Sequence, residues 1–265
     1  KRNKSHYTYI DAISDKKFFC KENEIYCIDV LEGLRQLDDE SVDVIITSPP
    51  YNKGINKLSN KSKHNWFNVI EYDGNPKNDD IPEEEYEQWQ IEILNECYRV
   101  LKKDGSMFYN HKNRIWAGHG EIISPYKWLF QTPFKIRQEI IWDRGRTCNV
   151  TRQRYLPSTE LIFWLTKSNK VRFDRKMDTP MKMEVWNFPP QKNTEHPAPF
   201  PQKLPDNILH CIADEKERLL VVDPFMGSGT TGLAALELKR KFIGIEMNNE
   251  YFELSKQRIL EKSSK

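Results

Sequence analysis

Leu219 to Gly232 reads Leu-Leu-Val-Val-Asp-Pro-Phe-Met-Gly-Ser-Gly-Thr-Thr-Gly, and this stretch decides the fold. The apolar run at its start is too short for a helix and breaks at Asp223 into closely spaced glycines, and an Ala/Leu-rich segment follows. This order predicts a strand, a tight turn and a helix, which together form the first half of a βαβ unit. The β-branched and aromatic run Phe242 to Ile245 predicts the second strand, which ends at Glu246.

Gly227 and Gly229 predict a ligand site at this turn. Without a Cβ they let a bound molecule approach the backbone, and free N–H groups at the helix start favour electron-rich atoms. With Gly232 they also satisfy the dinucleotide spacing G-x-G-x-x-G, but the Asp223 carboxylate directly before them would repel a pyrophosphate. No Gly-Lys-Ser/Thr of a phosphate loop follows. The sequence therefore favours a cationic ligand over a dinucleotide.

The segment from Asp223 to Thr231 resembles the S-adenosylmethionine loop of DNA amino-methyltransferases. Glu246 falls where that family places the acid that holds the ribose hydroxyls of the cofactor. The resemblance therefore implies S-adenosyl-L-methionine as the cofactor. The cofactor-binding residues that it implies are Asp29, His196, Pro197, Asp223, Phe225, Gly227, Ser228, Gly229, Thr230, Thr231 and Glu246.

Two of these contacts come from segments far from the glycines. The sequence predicts a strand at Glu24–Cys27 and a helix at Val30–Leu37, with Asp29 at the junction, where an aspartate often caps the helix. In the family, an acid at this place also accepts a hydrogen bond from the adenine amino group. His196-Pro197 is similar to a segment that closes over the methionine end of the cofactor. Because Ala198 to Phe200 replace the family's Thr-Gln-Lys, backbone contacts carry over more readily than side-chain roles.

A second motif follows the apolar run Val42–Thr47, which predicts a strand buried on both faces. Ser48-Pro49-Pro50-Tyr51 comes next, and its consecutive prolines rule out both a helix and a continued strand ladder, so a rigid loop is expected. The tetrapeptide resembles the catalytic tetrapeptide of amino-methyltransferases. Asn110, His111 and Lys112 end the predicted strand Ser106–Tyr109 at the same edge, and we interpret His111 as structural or DNA-facing.

The chemistry of that family explains the tetrapeptide. An exocyclic amino group is a poor nucleophile because its lone pair is delocalised into the base. The Ser48 side chain and the Pro49 carbonyl can accept hydrogen bonds from both amino protons, which stabilises the charge that develops on the nitrogen. Tyr51 is expected to stack on a base rotated out of the duplex. Ser48, Pro49, Pro50 and Tyr51 are therefore the predicted catalytic residues, and no general base is needed before methyl transfer.

Basic residues predict where DNA binds. Residues 52–80 mix lysines with aromatics, which suits contact with phosphate and an unstacked base, although a plain flexible loop fits nearly as well. Asp143–Ser158 lies between two predicted strands, Lys135–Trp142 and Glu160–Lys167, and is rich in arginine, which suits guanine edges and phosphate. A solvated surface is the alternative reading. The candidate DNA-binding residues are Lys53, Arg144, Arg146, Arg152 and Arg154.

The catalytic loop precedes the cofactor loop, and this order resembles the β-class of DNA amino-methyltransferases. The resemblance implies an α/β fold of the S-adenosylmethionine-dependent methyltransferase (Rossmann-like) type, with a mostly parallel seven-stranded sheet and one antiparallel edge strand. We expect a single catalytic domain over residues 1–265. It divides into a catalytic half (18–142), a hairpin with a small target-recognition region (143–195) and a cofactor-binding half (196–265). The polar segment Lys1 to Lys17 is interpreted as an arm.

Composition limits the remaining possibilities. The 265 residues carry a formal net charge of +2, and the five cysteines have neither metal-ligand nor disulfide spacing, so a reducing cytoplasm and no metal are expected. No apolar stretch reaches the length of a membrane span. The expected partners are double-stranded DNA, a cognate restriction endonuclease and a second copy of the chain.

The sequence thus predicts a site-specific DNA methyltransferase acting on an amino group. Cytosine N4 is favoured because Ser48 replaces the Asp or Asn more usual in adenine enzymes, and adenine N6 is the alternative. A methyltransferase acting on RNA or another substrate would not need the arginine-rich hairpin. A non-catalytic binding module would not need intact Asp223, Glu246 and Tyr51.

Overall fold

A computed structural model describes residues 9–12, 15–20, 23–52, 81–115, 121–145, 155–175, 180–191, 200–212 and 219–263. Within these ranges the strands are β1 (Tyr9–Ala12), β2 (Asp15–Cys20), β3 (Asn23–Cys27), β4 (Val42–Thr47), β5 (Leu101–His111), β6 (Arg114–Ile115), β7 (Ile122–Ile123), β8 (Lys135–Asp143), β9 (Thr159–Thr166), β10 (Val185–Asn187), β11 (Leu220–Asp223) and β12 (Lys241–Ile245). The helices are α1 (Val30–Arg35), α2 (Glu83–Val100), α3 (Tyr126–Leu129), α4 (Lys203–Ile212), α5 (Thr230–Glu237) and α6 (Asn249–Ser263).

The main sheet of the described residues has the strand order β1-β2-β3-β12-β11-β4-β5-β9-β8-β10. Strands β3, β12, β11, β4 and β5 are mutually parallel. Strand β9 runs antiparallel to both of its neighbours, β5 and β8. The predicted mostly parallel α/β sheet is confirmed. Its antiparallel strand β9 lies inside the sheet rather than at the edge, because β8 and β10 continue beyond it.

Three strands extend the sheet beyond the predicted seven. Strands β1 and β2 form an antiparallel hairpin on β3, so part of the segment predicted as an arm is paired backbone. Strand β10 pairs in parallel with the end of β8, from Ile141 to Asp143. Their segments are too short or too mixed in composition to show a clear strand pattern. Within β10, the Trp186 side chain is buried in the hydrophobic core.

Both faces of the sheet are covered, as the near-continuous apolar run of β4 predicts. On one face Val44, Ile46 and Val221 pack with residues of α4, α5 and α6, including Phe252. On the other face Ile45 and Val222 pack with residues of α1, α2 and α3, including Trp128. Strands β4 and β11 therefore contribute to both of these layers.

Helix α2 ends earlier than the sequence predicts. The amphipathic segment Pro82–Lys103, followed by Asp104-Gly105, predicts a helix that continues to Lys103. In the structure α2 ends at Val100 and β5 begins at Leu101. The pairing of β5 with β4 is irregular between Val42 and Val44, and a Cβ on Gly105 would lie 2.8 Å from the backbone oxygen of Asp43. The glycine therefore serves close backbone approach inside the strand.

The described residues contain neither a helix suited to cross a membrane nor a cluster suited to hold a metal ion. None of the described helices has both the length and the apolar character needed to cross a bilayer. Within the same ranges, no group of His, Cys, Asp or Glu side chains is arranged to hold a metal ion.

Candidate active site

The predicted functional residues that the structure describes gather at one edge of the sheet. Because β3, β12, β11, β4 and β5 are parallel, their carboxyl ends meet there, and ligands of open α/β sheets bind outside these ends. Strand β9 runs the opposite way, so its amino end lies at the same edge. The side chains placed there are Asp29, Ser48, Tyr51, Asn110, His111, Glu160, Asp223 and Glu246.

The Asp223 carboxylate joins the two predicted loops. It is fully buried, and its Oδ1 accepts hydrogen bonds from Thr47 Oγ1 at 2.8 Å and from the Phe225 N–H at 3.1 Å. Its Oδ2 accepts from Thr231 Oγ1 at 2.6 Å. Burial raises the pKa of Asp223 to about 6, and these three hydrogen bonds oppose the rise. The carboxylate thus ties the end of β4 to the glycine turn and to α5.

Glu246 occupies the end of β12, as predicted, and holds the glycine turn from the other side. Its Oε2 accepts from the Gly227 N–H at 2.9 Å, and its Oε1 accepts from the Asn248 N–H at 2.8 Å. Burial raises the pKa of Glu246 to about 7; the backbone hydrogen bonds oppose this rise, and the charge of Asp223 adds to it. The Met247 N–H is a third backbone donor, so the carboxylate retains capacity for about one further hydrogen bond.

The two turn glycines are in left-handed conformations that other residues rarely adopt. Gly227 has φ +52° and Gly229 has φ +79°. A Cβ on Gly229 would also lie 3.0 Å from Cβ of Ser255 in α6. The Arg258 guanidinium of the same helix donates to the Ser228 carbonyl. Helix α6 therefore packs directly against the turn and fixes its shape.

Three further predicted cofactor residues are also near this turn or edge. Asp29 caps α1 as predicted, since its Oδ1 accepts from the Leu31 N–H at 2.9 Å and the Glu32 N–H at 3.3 Å. Phe225 contacts the Trp89 ring edge-on, with ring centroids 5.7 Å apart. The Thr230 hydroxyl oxygen is buried and has no hydrogen-bond partner within the described ranges.

The tetrapeptide Ser48-Pro49-Pro50-Tyr51 forms a hydrogen-bonded cluster with β5 and β9. The Tyr51 hydroxyl lies 2.9 Å from Ser48 Oγ, accepts from Asn110 Nδ2 at 2.9 Å and donates to Glu160 Oε2 at 3.1 Å. Tyr51 is only 8% exposed, and its ring packs on His111 with centroids 4.5 Å apart. Burial is the largest cause that raises the pKa of the Tyr51 hydroxyl well above its ordinary value, followed by the charge of Glu160.

A second set of contacts holds Pro50. The buried Tyr86 of α2 donates its hydroxyl to the Pro50 carbonyl at 2.6 Å, and the same hydroxyl lies 2.9 Å from His111 Nε2. His111 is fully buried, which agrees with the structural alternative of its sequence interpretation. Tyr86 and His111 therefore hold the loop to the underlying sheet.

Arg144 lies next to this cluster. Its Nη1 forms an ion pair with Glu160 Oε1 at 2.6 Å, and its guanidinium stacks 5.5 Å from the centroid of the Trp142 ring. The predicted DNA contact of Arg144 therefore stays a prediction, while its observed partner is a buried carboxylate beside the catalytic loop. Lys53, Arg146, Arg152, Arg154, His196 and Pro197 lie outside the described residues.

Sequence reasoning missed Glu160, Thr47, Trp89 and Tyr86. Glu160 could have been found by placing β9 antiparallel, because that direction brings its first residues to the ligand edge. Thr47 was included in the predicted strand, but its partner Asp223 is 176 positions away. The two helical aromatics gave no signal, since aromatic residues at such spacing are typical of any packed helix.

Comparison with known sequences relates the chain to enzymes that act on DNA. The family model for DNA methylases matches residues 42–257. The type II methyltransferase M.BglII of Bacillus subtilis is 29% identical over 268 residues, covering 89% of this chain and 68% of that protein. The type II methyltransferase M.HpaI of Haemophilus parainfluenzae is 30% identical, covering 90% and 74%. The DNA adenine methyltransferase YhdJ of Escherichia coli (strain K12) is 28% identical, covering 87% and 80%.

Solved structures share the fold. The cytosine-N4-specific PvuII DNA methyltransferase matches with a TM-score of 0.71 and 22% identity, covering 91% of both chains. The M1.HpyAVI–SAM complex matches with a TM-score of 0.57 and 25% identity, covering 88% of this chain and 98% of that chain. The methyltransferase fold class expected from the sequence is therefore confirmed.

Gly227→Val is expected to weaken S-adenosyl-L-methionine binding by more than tenfold, because a β-branched residue cannot hold φ +52° at low cost and the Gly227 N–H would leave Glu246. Isothermal titration calorimetry measures the affinity. Gly145→Val is the matched control, since Gly145 has φ +75° and open space around its Cβ position. Equal losses in both variants would show that general strain, rather than the turn, is responsible.

Cofactor affinity is expected to depend on pH through Glu246. Its pKa in the folded chain, about 7, lies above the ordinary 4.5, so its contribution to folding stability is greatest at low pH and declines as the pH rises through this interval. Ribose hydroxyls donate best to the ionised form, so the affinity should fall as the pH drops from 8 to 6. Calorimetry of Glu246→Gln should give weaker binding at pH 8 and a flatter profile. A wild-type pH profile retained in the variant would contradict this role.

Proposed function

We propose that this chain, which belongs to the DNA methylase family, transfers a methyl group from S-adenosyl-L-methionine to the N4 amino group of cytosine in a specific DNA sequence. The chain is a DNA amino-methyltransferase of the restriction-modification type. The choice of cytosine N4 rests on the position of Ser48. Its neutral hydroxyl lies at the ligand edge of β4, in hydrogen-bond contact with Tyr51.

The described residues fit the cofactor. Glu246 keeps acceptor capacity for a ribose hydroxyl. Asp29 uses only Oδ1 for its cap, so Oδ2 can accept from an adenine amino group. The unpartnered Thr230 hydroxyl lies at the start of α5, beside the turn. When bound, S-adenosyl-L-methionine supplies an electrophilic methyl group. The M1.HpyAVI complex, which contains this cofactor, supports the assignment.

The chain's own residues prepare the target amino group. Ser48 Oγ and the Pro49 carbonyl accept hydrogen bonds from its two N–H groups, which localises the lone pair on nitrogen and stabilises the positive charge that develops there. The Pro50 carbonyl already accepts from Tyr86, so it anchors the loop. Catalysis then rests on positioning and on acceptors fixed in advance. Once the methyl group is on the nitrogen, the extra proton of the cationic amino group passes to solvent water.

The side chain of Tyr51 is not free to move as a stacking surface for a base. Its ring packs against His111, and its hydroxyl is held inside the cluster. Only a small part of the side chain remains open for contact with a rotated base. We therefore keep the base contact in the proposal and add a second role for Tyr51, the support of Ser48.

Cytosine N4 is favoured over adenine N6 because of Ser48 alone. A hydroxyl replaces the Asp or Asn side chain more usual in adenine enzymes of this family. Adenine N6 is the alternative, and the similarity to YhdJ, which is named an adenine methyltransferase, supports it. An RNA methyltransferase and a non-catalytic module are less favoured, since the matched relatives are DNA enzymes.

The biological setting follows from the type II relatives. We propose that the enzyme acts on double-stranded DNA in the cytoplasm, together with a cognate restriction endonuclease, and that it forms a homodimer. Residues 143–195 are the proposed target-recognition region.

Incubation with labelled S-adenosyl-L-methionine and mixed-sequence duplex DNA, followed by nuclease digestion and mass identification, tests the function. We expect N4-methylcytosine. N6-methyladenine would retain the mechanism and correct the base. Transfer of label to RNA instead of DNA, by protein that binds the cofactor, would contradict the proposed substrate.

A further inference from the structure

The Tyr51 hydroxyl lies at the centre of a buried cluster that the two loops alone do not explain. Its neighbours are Ser48 Oγ and Asn110 Nδ2, each at 2.9 Å, and Glu160 Oε2 at 3.1 Å. Asn110 is 2% exposed and Glu160 is 7% exposed. Ser48 is the only one of these residues that the proposed reaction uses directly, so the other groups must act through it or through Tyr51.

The direction of each hydrogen bond follows from the charge of Glu160. Its Oε1 accepts from Arg144 Nη1 at 2.6 Å, and this cation stabilises the carboxylate. Its Oε2 can only accept, and it receives both the Tyr51 hydroxyl proton and Asn110 Nδ2 at 3.1 Å. The amide of Asn110 is fixed in this orientation, because its oxygen would otherwise face a carboxylate oxygen.

A tyrosine hydroxyl has one proton, and Glu160 receives it. In the contact between Tyr51 and Ser48, Ser48 must therefore be the donor. The Ser48 proton then points inward, toward Tyr51, and lone pairs remain on its oxygen. Asn110 Nδ2 also lies 3.3 Å from this oxygen, but its two protons are directed at the nearer Tyr51 and Glu160 oxygens. The lone pairs of Ser48 Oγ are therefore left for a group at the ligand edge.

We propose that Glu160 is a positioning residue that acts through Tyr51 to orient the Ser48 hydroxyl, so that Ser48 presents an acceptor to the target amino group. This inference rests on the proposed function, because only an amino-group substrate needs an acceptor at this position. A serine without such a constraint would rotate and could direct its proton at the amino group, where two donors would repel.

Replacement of the Glu160 carboxylate by a neutral amide should reverse the directions of these hydrogen bonds. Arg144 would keep the amide oxygen of Glu160→Gln as its acceptor, so the amide NH2 would face Tyr51. The Asn110 amide would turn over, because two NH2 groups would otherwise face each other. Tyr51 would then accept from the new amide and donate its proton to Ser48 or to Asn110 Oδ1, so Ser48 would no longer have to donate to Tyr51. The Ser48 proton would in turn be free to point toward the substrate, with almost no change in shape.

The test compares single-turnover methylation of whole-genome-amplified DNA, which carries no modification, at saturating labelled S-adenosyl-L-methionine. Glu160→Gln is expected to slow transfer by about 100-fold, the order seen when a preorganised hydrogen-bonding group is lost. The Kd values for DNA and for cofactor should stay within twofold of wild type. Glu160→Asp, which keeps a charged acceptor, should retain more of the rate than Glu160→Gln.

Tyr51→Phe supplies the decisive comparison, because it removes the hydroxyl through which Glu160 acts. In the Tyr51→Phe variant, Glu160→Gln should lower the single-turnover methylation rate by no more than a further twofold. A Glu160→Gln rate equal to wild type, or losses that multiply in the double variant, would overturn the inference. A loss of DNA or cofactor affinity equal to the loss in rate would show a merely structural role and would overturn it as well.

Glu139→Gln is the matched control. Glu139 on the neighbouring strand β8 accepts from the Tyr126 hydroxyl at 2.7 Å, so it forms the same carboxylate–tyrosine pair away from the tetrapeptide. Its methylation rate should stay within twofold of wild type. Absence of amino-group methylation by the wild-type enzyme would refute the proposed function and this inference together. An active wild type with an unaffected Glu160→Gln would refute the inference alone.

Discussion

The buried carboxylate of Asp223 is the interaction on which the rest of the site depends. It accepts from Thr47 in the catalytic strand, from Thr231 in α5 and from the Phe225 N–H in the glycine turn. A buried charge is tolerated only when such donors compensate it. The three donors therefore bring the end of β4 and the glycine turn into one fixed arrangement, although they come from distant parts of the chain. Glu246 extends the same arrangement to β12 by holding Gly227.

A second aspartate clamps the opposite ends of the same two strands. Asp43 in β4 accepts from the Leu220 N–H of β11 at 2.9 Å and forms an ion pair with Lys102 at 2.7 Å. Strands β4 and β11 are thus held at both ends by carboxylates, but only Asp223 lies at the ligand edge. Asp43 is therefore a structural carboxylate. Asp223 also fixes the end of β4, which precedes the Ser48–Tyr51 loop, relative to the glycine turn.

The sequence was sufficient to predict an element where its local residue pattern agrees with its buried environment. Strand Val42–Thr47 has the predicted bounds because every residue in it is buried, and the turn at Gly227 follows from its neighbouring apolar and helical segments. The hairpin strands β1 and β2 and the three-residue β10 were not predicted, because their short segments carry no clear apolar alternation. Trp186 of β10 is nevertheless buried in the core. The burial of Tyr51 and the pairing of Arg144 with Glu160 depend on contacts between distant segments, which spacing cannot reveal.

The most direct test of the Asp223 account is the Kd of S-adenosyl-L-methionine for Asp223→Ala and Asp43→Ala, measured by calorimetry at a temperature where both variants are folded. Each removes a buried carboxylate and leaves donors unpaired, at a cost of about 1–3 kcal/mol per donor. The account predicts that Asp223→Ala binds the cofactor at least about tenfold more weakly, which corresponds to about 1.4 kcal/mol. Asp43→Ala should bind within twofold of wild type. Equal affinities in the two variants would contradict the claim that Asp223 joins the catalytic and cofactor loops.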